Sequence, residues 1–487
     1  MHDRGLVQVK YKTLSHEEVL RIRDVSLMIL EKIGFEVEER KALGLFKQAG
    51  ASVNGSRVRL TSSFIEDVVN KARKKILLAG REEKHDVLLE VERVYIGTGG
   101  AALSVIDIET GEVRRAHLRD VAQLARLVDG LDNIDFYLVP VYPTELGRDE
   151  VDVSTFYNAL MNTTKHVQAG VYSIEGIRNV IAMGELIAGG DEALRKRPVI
   201  SFITSWMISP LKFNTEVTKL LIEICRKGMP VVLSCAPIAG ITAPVTIAGM
   251  LAQTTAEQLA GLSLAQLVSP GTPVIPGPVQ GIADMRTGVY LGGAAEIGLT
   301  NAAIAQIFHS YGLPVYNSSG MTDSKLPDIQ AGAEKAMSLV LDALAGANYI
   351  HHAAGLLENM STVAPEQFVI DNEIIGMALR VLRGLRVTDE TLAIDAIERV
   401  GPGGNYLTDD HTLKCMRKEF FYPSSIMSRE GRELWEEAGG EDARQRACRR
   451  AIDILTNHRP KPIDARIDSL IRERFKPIVA LTERGSG

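Results

Sequence analysis

Residues 317–360 read NSSGMTDSKLPDIQAGAEKAMSLVLDALAGANYIHHAAGLLENM and contain the repeating pattern that decides the fold. The stretch begins with a small polar loop after the apolar run LPVY, continues through helical text, and ends in the β-rich run NYIHHAAG. Parallel α/β barrels place their chemistry at the carboxyl ends of such strands. The stretch therefore also indicates where an active site would lie.

The same β-then-α pattern repeats along the chain. Eight β-rich runs begin near residues 94, 134, 166, 199, 230, 272, 313 and 347. A spacing of about thirty to forty residues, with helical text between the runs, is typical of a parallel sheet, and eight units favour closure. We predict an α/β fold, a (β/α)8 TIM barrel, with a doubly wound open sheet as the alternative. A turn within VIDIETGEVRRA, residues 105–116, predicts a hairpin inside the first unit.

The pattern of apolar and polar residues changes twice along the chain and divides it into three regions. Ser15 with Glu18 and Ser63 with Glu66 have capping-box spacing before apolar periodic runs, which indicates an N-terminal helical segment over residues 1–90. The catalytic barrel is predicted over 91–387. Residues 388–487 read as a charged, C-terminal helical extension that packs beside or over the mouth of the barrel.

Composition limits the possible functions. The chain has 487 residues, a net charge of -6 and four cysteines without a CxxC pair. An acidic balance without a basic stripe argues against nucleic-acid binding. Because no signal peptide or membrane span is visible, and the cysteines read as reduced thiols, a cytoplasmic protein that does not bind membranes is expected. Exposed barrel helices commonly support association, so we expect a homo-oligomer.

Two residue types at the predicted strand ends could carry chemistry. His351 and His352 are adjacent in a strand, so their side chains should point to opposite faces, and they should not share a metal. An inward His351 would serve as a hydrogen-bond donor or acid–base group, against the alternative of a core histidine. Lys325, between carboxylates in the loop after the seventh strand, is a candidate catalytic amine or a solvated lysine.

Several ordered segments resemble the trimethylamine methyltransferase-like (MttB-type) superfamily of corrinoid-dependent methyltransferases. They are GTGGA (97–101), NSSGMTDSKLPDIQAG (317–332), HHAAGLLENMST (351–362), LTDDHT and LWEEAGG. Since the chain has only ordinary residues, it resembles the nonpyrrolysine branch of that family. The resemblance implies methyl transfer from a quaternary amine, such as glycine betaine, to a Co(I) corrinoid.

The resemblance also implies that the corrinoid belongs to a separate protein. Cobalamin binding through a protein histidine commonly uses DxHxxG, and the nearest text, residues 409–414, has no glycine at the last position. We therefore expect no cofactor bound by this chain and a corrinoid protein, which supplies the cobalamin, as its partner. That partner should dock over the carboxyl ends of the strands.

A quaternary ammonium needs aromatic faces, carboxylates or carbonyl dipoles around it. Under this hypothesis His351, Asn317 and Lys325 are the candidate catalytic residues. The candidate substrate-binding residues are Tyr95, Gly99, Tyr142, Tyr172, Trp206, Gln280 and Phe368, with Arg286 and the amide of Gly320 as donors to a substrate carboxylate. Two other hypotheses stay open at this point. One is a Schiff-base lyase or aldolase barrel that uses Lys325, and the other is a noncatalytic betaine-binding protein.

Overall fold

The computed structural model of the protein describes residues 11–424, 426–476 and 478–480. Eight parallel strands alternate with eight helices, as predicted. The strands are β1 (Tyr95–Thr98), β2 (Phe136–Leu138), β3 (His166–Gly170), β4 (Ile200–Thr204), β5 (Val231–Leu233), β6 (Val274–Pro276), β7 (Tyr316–Ser318) and β8 (Tyr349–Ala354). The helices are α1 (Leu118–Asp129), α2 (Arg148–Asn162), α3 (Ile174–Ala188), α4 (Thr215–Arg226), α5 (Ile247–Val268), α6 (Ala295–His309), α7 (Ile329–Ala345) and α8 (Pro365–Arg383).

The sheet closes on itself, which rules out the open alternative. Parallel ladders join β2 to β6 in order, and further ladders join β7 to β8 and β8 to β1. Between β1 and β2 the N–H of Asp135 donates to the carbonyl oxygen of Ile96 at 2.7 Å. At the remaining junction, a Cβ on Gly277 would lie 1.8 Å from the carbonyl oxygen of Tyr316, so β6 and β7 pack in direct contact.

An antiparallel hairpin, Ile76–Leu78 with Val87–Leu89, packs against the side chains inside the barrel. Those interior side chains include Phe136 and Tyr349, whose rings stack with centroids 3.8 Å apart. Both residues stand at the start of their strands. The hairpin therefore fills the amino-terminal end of the barrel and leaves the carboxyl end for a site.

The segment before the barrel contains strands as well as helices. Its helices are His16–Met28, Arg40–Gln48 and Ser62–Lys71, with a π-helical turn at Ile29–Ile33, a 3-10 turn at Glu83–His85, and short strands Phe35–Glu36, Ser52–Asn54 and Arg57–Arg59. The capping box of Ser15 and Glu18 is present as predicted. The one predicted at Ser63 is wrong, because that helix begins earlier and the side chain of Thr61 accepts its capping hydrogen bond.

Two small sheets lie after the carboxyl ends of the strands. The predicted hairpin forms between Ser104–Ile106 and Val113–Arg115, and it continues into Thr362–Val363 and Leu356–Leu357. The second sheet joins Ile238–Ala239, Gly281–Ala283 and Tyr290–Leu291. A further excursion after β4, Met207–Ile208 with Lys212–Phe213, pairs with Phe35–Glu36 of the N-terminal segment.

The C-terminal helices are Asp389–Leu392, Ile394–Val400, Asp410–Glu419, Arg432–Glu437, Ala443–Asn457 and Ala465–Arg474, and a short helix Asp191–Lys196 follows α3. The helix Ala443–Asn457 packs beside the barrel, where a Cβ on Gly130 would lie 2.7 Å from the side chain of Ile454. His458 binds the carboxylate of Asp129 at 2.7 Å. The boundaries at residues 90 and 387 stay predictions. Within the described ranges, no helix has the length and apolar character needed to cross a bilayer.

Candidate active site

The carboxyl ends of β7 and β8 carry a group of buried polar side chains. Tyr316 and Ser318 alternate along β7, so both point into the barrel, and they meet His351 and His352 of β8. All four side chains are at most 5% exposed. We call His351 and His352 the histidine pair.

The two imidazoles lie on the same side of β8, with ring centroids 3.6 Å apart. The prediction that they point to opposite faces is wrong because His352 has a left-handed backbone, with φ 66°, and the pairing of β8 with β1 shifts register at this point. A bulge of this kind redirects a side chain. Gly99, directly after β1, makes room, since a Cβ there would lie 2.7 Å from the ring of His352 and 2.8 Å from that of His351.

Hydrogen bonds and burial determine the charge of the histidine pair. Nδ1 of His351 lies 3.2 Å from the hydroxyl of Tyr316, and Nδ1 of His352 lies 2.6 Å from that of Ser318. Burial lowers the pKa of His351 well below its usual range and lowers the pKa of His352 to about 3, with the charge of Lys335 as the second cause for His352. Both rings are therefore neutral at ordinary pH and can offer hydrogen bonds without adding positive charge.

Tyr142 and Tyr172, which follow β2 and β3, meet edge to face with ring centroids 5.4 Å apart. They line a cavity of about 30 Å³ together with Gly100, Asp152 and Thr155. Tyr172 is 41% exposed, so one side of this group faces solvent. We call Tyr142, Tyr172 and Asp152 the aromatic corner. It adjoins the histidine pair through the neighbouring residues Gly99 and Gly100.

Asp152, on α2, holds the loop that carries Tyr172. Its carboxylate accepts hydrogen bonds from the backbone N–H of Tyr172 at 3.0 Å and of Ser173 at 3.1 Å. Burial raises the pKa of Asp152 to about 6, and the hydrogen bonds from Tyr172 and Ser173 oppose that shift. The aromatic corner therefore contains an ionised carboxylate at neutral pH.

The structure does not bring three of the predicted aromatic and amide residues to this site. Asn317 alternates with Tyr316 and faces the helices, where its Nδ2 donates to the carboxylate of Asp342 at 2.7 Å. Trp206 is fully buried outside the barrel against Phe213 and α5, because the chain turns away after β4. Phe368 lies under Gly355, on α8.

Two further predicted residues are directed elsewhere. Tyr95 begins β1 and packs at the amino-terminal end of the barrel with the hairpin, because the site forms at the other end of the same strand. Gln280 points to α6, where its Nε2 donates to Asn301 at 2.5 Å. Gly320 lies beside the histidine pair, but its N–H donates to the hydroxyl of Ser338 at 3.1 Å. This N–H is therefore already used and is not free to bind a substrate carboxylate.

The predicted cations face away from the barrel interior. Arg286 is in the turn of the hairpin Gly281–Leu291, where its side chain is 89% exposed and paired with Asp284 at 2.9 Å. Lys325 is exposed, and its Nζ donates to the carbonyl oxygen of Asp323 at 2.8 Å. A turn-and-loop location keeps both side chains in water, so neither provides a buried catalytic amine or a carboxylate clamp.

Sequence reasoning missed Asp152, Tyr316 and Lys335 and underrated His352. The alternation Tyr316–Ser318 was a usable signal, because residues two apart on a strand share a face. Asp152 stands between Val151 and Val153, but the surrounding segment RDEVDVST, residues 148–155, is largely polar and gave no comparable signal. No group of three or more His, Cys, Asp or Glu side chains in the described ranges is arranged to hold a metal ion.

Comparison with known proteins assigns the family. The family model described as trimethylamine methyltransferase (MTTB) matches residues 5–476. A trimethylamine methyltransferase MttB of Desulfitobacterium hafniense is 37% identical over 94% of this chain and 92% of its own length. A glycine betaine methyltransferase of the same species is 32% identical over 96% and 97%, and a trimethylamine methyltransferase MttB1 of Methanosarcina mazei is 33% identical over 94% and 93%. Because the family model spans almost the whole chain and these relatives are at least 32% identical over more than nine tenths of it, the chain belongs to the trimethylamine methyltransferase family and is a methyltransferase.

Proposed function

We propose that the protein removes a methyl group from a quaternary amine of the betaine class, glycine betaine first among them, and transfers it to the Co(I) corrinoid of a separate partner protein. The observation that carries this proposal is the aromatic corner, which lies beside a neutral histidine pair. Similarity to a glycine betaine methyltransferase over 96% of the chain supports the same substrate class.

The aromatic faces and the carboxylate of the aromatic corner suit a permanent cation. A quaternary ammonium has no N–H to donate, so it is held by aromatic faces and carboxylates. The aromatic corner supplies two tyrosines and the Asp152 carboxylate. Because the histidine pair is neutral, and Arg286 and Lys325 face solvent, these four side chains do not place a positive charge against the substrate.

Size indicates how the ammonium group enters. A cavity of about 30 Å³ takes one water molecule or one methyl group, and a trimethylammonium group needs more room. Tyr172 is 41% exposed, so its ring can turn outward and enlarge the cavity. We propose that binding of the substrate includes movement of the Tyr172 ring.

The reaction requires no general acid from this chain. The bond between nitrogen and one methyl carbon breaks, and its electron pair stays on nitrogen, so the leaving group is a neutral tertiary amine that needs no proton. The partner's corrinoid supplies the Co(I) nucleophile that accepts the methyl group. The residues of this chain hold the ammonium group, direct one methyl group toward the mouth of the barrel, and exclude water.

A betaine carries a carboxylate, which requires hydrogen-bond donors. The histidine pair is the remaining candidate, since Arg286 is paired with Asp284 and the Gly320 amide with Ser338. A neutral imidazole has one N–H to donate. We propose that an N–H of the histidine pair binds the substrate carboxylate while the aromatic corner binds the ammonium group.

The test is a panel of methylated amines, each incubated with enzyme and reduced cobalamin while the corrinoid spectrum is followed. We expect methylcobalamin from glycine betaine or a related betaine. Tyr172→Ala should lower kcat/KM about tenfold, because a cation–π contact contributes about 1–2 kcal/mol and about 1.4 kcal/mol corresponds to a factor of ten. Tyr406→Ala, which removes an exposed tyrosine of the C-terminal segment, is the matched control and should have no effect.

The same assay, together with borohydride trapping, separates the other hypotheses. Methylation by trimethylamine alone would contradict the betaine assignment, and tight betaine binding without methylcobalamin would indicate a noncatalytic binding protein. A Schiff-base enzyme would be inactivated by borohydride in the presence of a carbonyl substrate. The exposed position of Lys325 does not favour that chemistry.

A further inference from the structure

A buried ion pair lies directly behind the histidine pair. Lys335 of α7 and Asp371 of α8 have side chains that are each 1% exposed, with Nζ 3.2 Å from Oδ2. Taking two charges out of water costs several kcal/mol for each ion, and their attraction often only offsets this cost. Stability alone therefore explains such a pair poorly, and its contacts with the backbone indicate another role.

The ion pair holds the chain where β7 and β8 end. Nζ of Lys335 donates to the carbonyl oxygen of Gly320 at 2.5 Å and to that of Leu356 at 3.2 Å. The carboxylate of Asp371 accepts the N–H of Gly355 at 2.7 Å. Gly320 follows β7, whereas Gly355 and Leu356 follow β8. One ammonium and one carboxylate thus fix the relative position of the two strand ends.

The bulge that redirects His352 lies between these contacts. A left-handed backbone costs about 1–2 kcal/mol for a residue with a Cβ, and it persists where surrounding contacts impose it. A Cβ on Gly320 would lie 2.8 Å from the Cα of Ala353, so the loop after β7 packs against the bulge itself. Loss of the contacts to Gly320 and Gly355 would release the backbone on both sides.

We propose that Lys335 and Asp371 are positioning residues of the methyl transfer: the pair fixes the bulge that sets His352 beside His351. The ionisable groups that face the histidine pair are Tyr316 on β7, Lys335 on α7 and, behind Lys335, Asp371 on α8. The charge of Lys335 lowers the pKa of His352, after burial as the larger cause. The effect on turnover rests on the proposed function, whereas the state of the imidazoles does not.

The first experiment uses the unmodified protein, labelled with ¹⁵N in its ten histidines. The signals of His351 and His352 are assigned by comparison with His351→Gln and His352→Gln. We expect both rings to remain neutral, each in a single tautomer, from pH 8 to pH 5. A ring that titrates near the ordinary value of about 6.5 would overturn the proposal, whatever the enzyme's substrate is.

The second experiment removes the ion pair. Lys335→Met/Asp371→Leu exchanges both charges for apolar side chains, a change that proteins often tolerate. We expect a folded variant with kcat lowered about ten- to a hundredfold, with KM changed less, and with displaced His352 signals. Asp371→Asn, which keeps the size of the side chain, should act in the same direction.

Arg178→Met/Glu223→Leu is the matched control, because that ion pair joins α3 and α4 on the outside of the barrel at 2.7 Å. It should leave kcat and the histidine signals unchanged. Folded Lys335 and Asp371 variants with unchanged kcat and unchanged His352 signals would overturn the proposal. If neither variant folds, the pair is needed for folding itself, and the proposal that it acts on the site is overturned.

Discussion

At the scale of single residues, Gly99 determines whether the histidine pair can exist. The two rings occupy the space where a side chain of residue 99 would be, at 2.7 and 2.8 Å from its Cβ. The ring of His351 stacks on that of Tyr316, with centroids 3.9 Å apart. His351 therefore cannot move away freely from a side chain at residue 99. A single methyl group at this position therefore acts directly on the site.

We predict that Gly99→Ala lowers kcat for methyl transfer by tenfold or more while the protein still folds. The added Cβ displaces both imidazoles, and misplacement by about 1 Å can cost about a hundredfold in rate. Steady-state kinetics and a thermal unfolding curve measure the two effects separately.

Gly332→Ala on α7 is the control for this change, because no atom lies within 4 Å of the Cβ position there. It should keep full activity and increase stability by about 0.5–1 kcal/mol, as expected for alanine in a helix. Full activity of Gly99→Ala would contradict the assignment of the histidine pair to the site.

At the scale of elements, β7 divides its side chains between two environments. Tyr316 and Ser318 face the site, whereas Asn317 faces Asp342 on α7. Asp342 is fully buried, and burial raises its pKa to about 7. Within the described ranges, the Oδ2 atom of Asp342 and the Oδ1 atom of Asn317 have no hydrogen-bond partner.

We predict that the Asp342 carboxyl makes the free energy of unfolding fall as pH rises. Between about pH 4, where the unfolded group ionises, and about pH 7, the folded state binds a proton that the unfolded state has lost. The contribution is therefore full below about pH 4 and is lost as pH rises to about 7. Asp342→Asn should remove this part of the pH dependence, which amounts to a few kcal/mol.

Urea unfolding of both proteins at pH 5, 6, 7 and 8 checks the prediction. The free energy of unfolding of Asp342→Asn should rise relative to that of the unmodified protein as pH increases. Asp395→Asn, an exposed position in the C-terminal segment, is the control and should leave the profile unchanged. Parallel profiles for Asp342→Asn and the unmodified protein would contradict a neutral Asp342.

At the scale of the whole molecule, the two ends of the barrel have different roles. The hairpin Ile76–Leu78 with Val87–Leu89 fills the amino-terminal end with apolar side chains. The carboxyl end carries the histidine pair and the aromatic corner. Conservative changes at the first end should therefore affect stability, and changes at the second should affect the reaction.

We predict that Leu89→Ala lowers the free energy of unfolding by about 2–5 kcal/mol, because Leu89 is fully buried and its loss leaves a cavity. The kcat of the folded fraction should stay the same. Denaturant unfolding and kinetics on the same preparation measure both quantities.

Leu392→Ala, at a side chain that is 58% exposed, is the control and should change stability by less than about 0.5 kcal/mol. A fall in kcat for Leu89→Ala at full folding would show that the two ends of the barrel are coupled.

The sequence predicted some residues of the site and not others for a common reason. Tyr142, Tyr172 and Gly99 follow strands and His351 lies within β8, and the parallel order brings these residues to one end of the barrel. Trp206 also follows a strand, but the chain after β4 turns outward to meet Phe213. Position at a strand end therefore predicts the region, and the course of each loop decides which side chains enter it.

The sequence by itself determined the eight β–α units, the capped first helix and the hairpin at residues 105–116. These depend on periodicity, turn residues and caps, which are local properties of the chain. The tertiary structure decided that His352 turns beside His351, that Asp152 holds Tyr172, and that Lys335 meets Asp371 behind the site. Each of these depends on contacts between distant segments, which override local preference because burial fixes both backbone and charge.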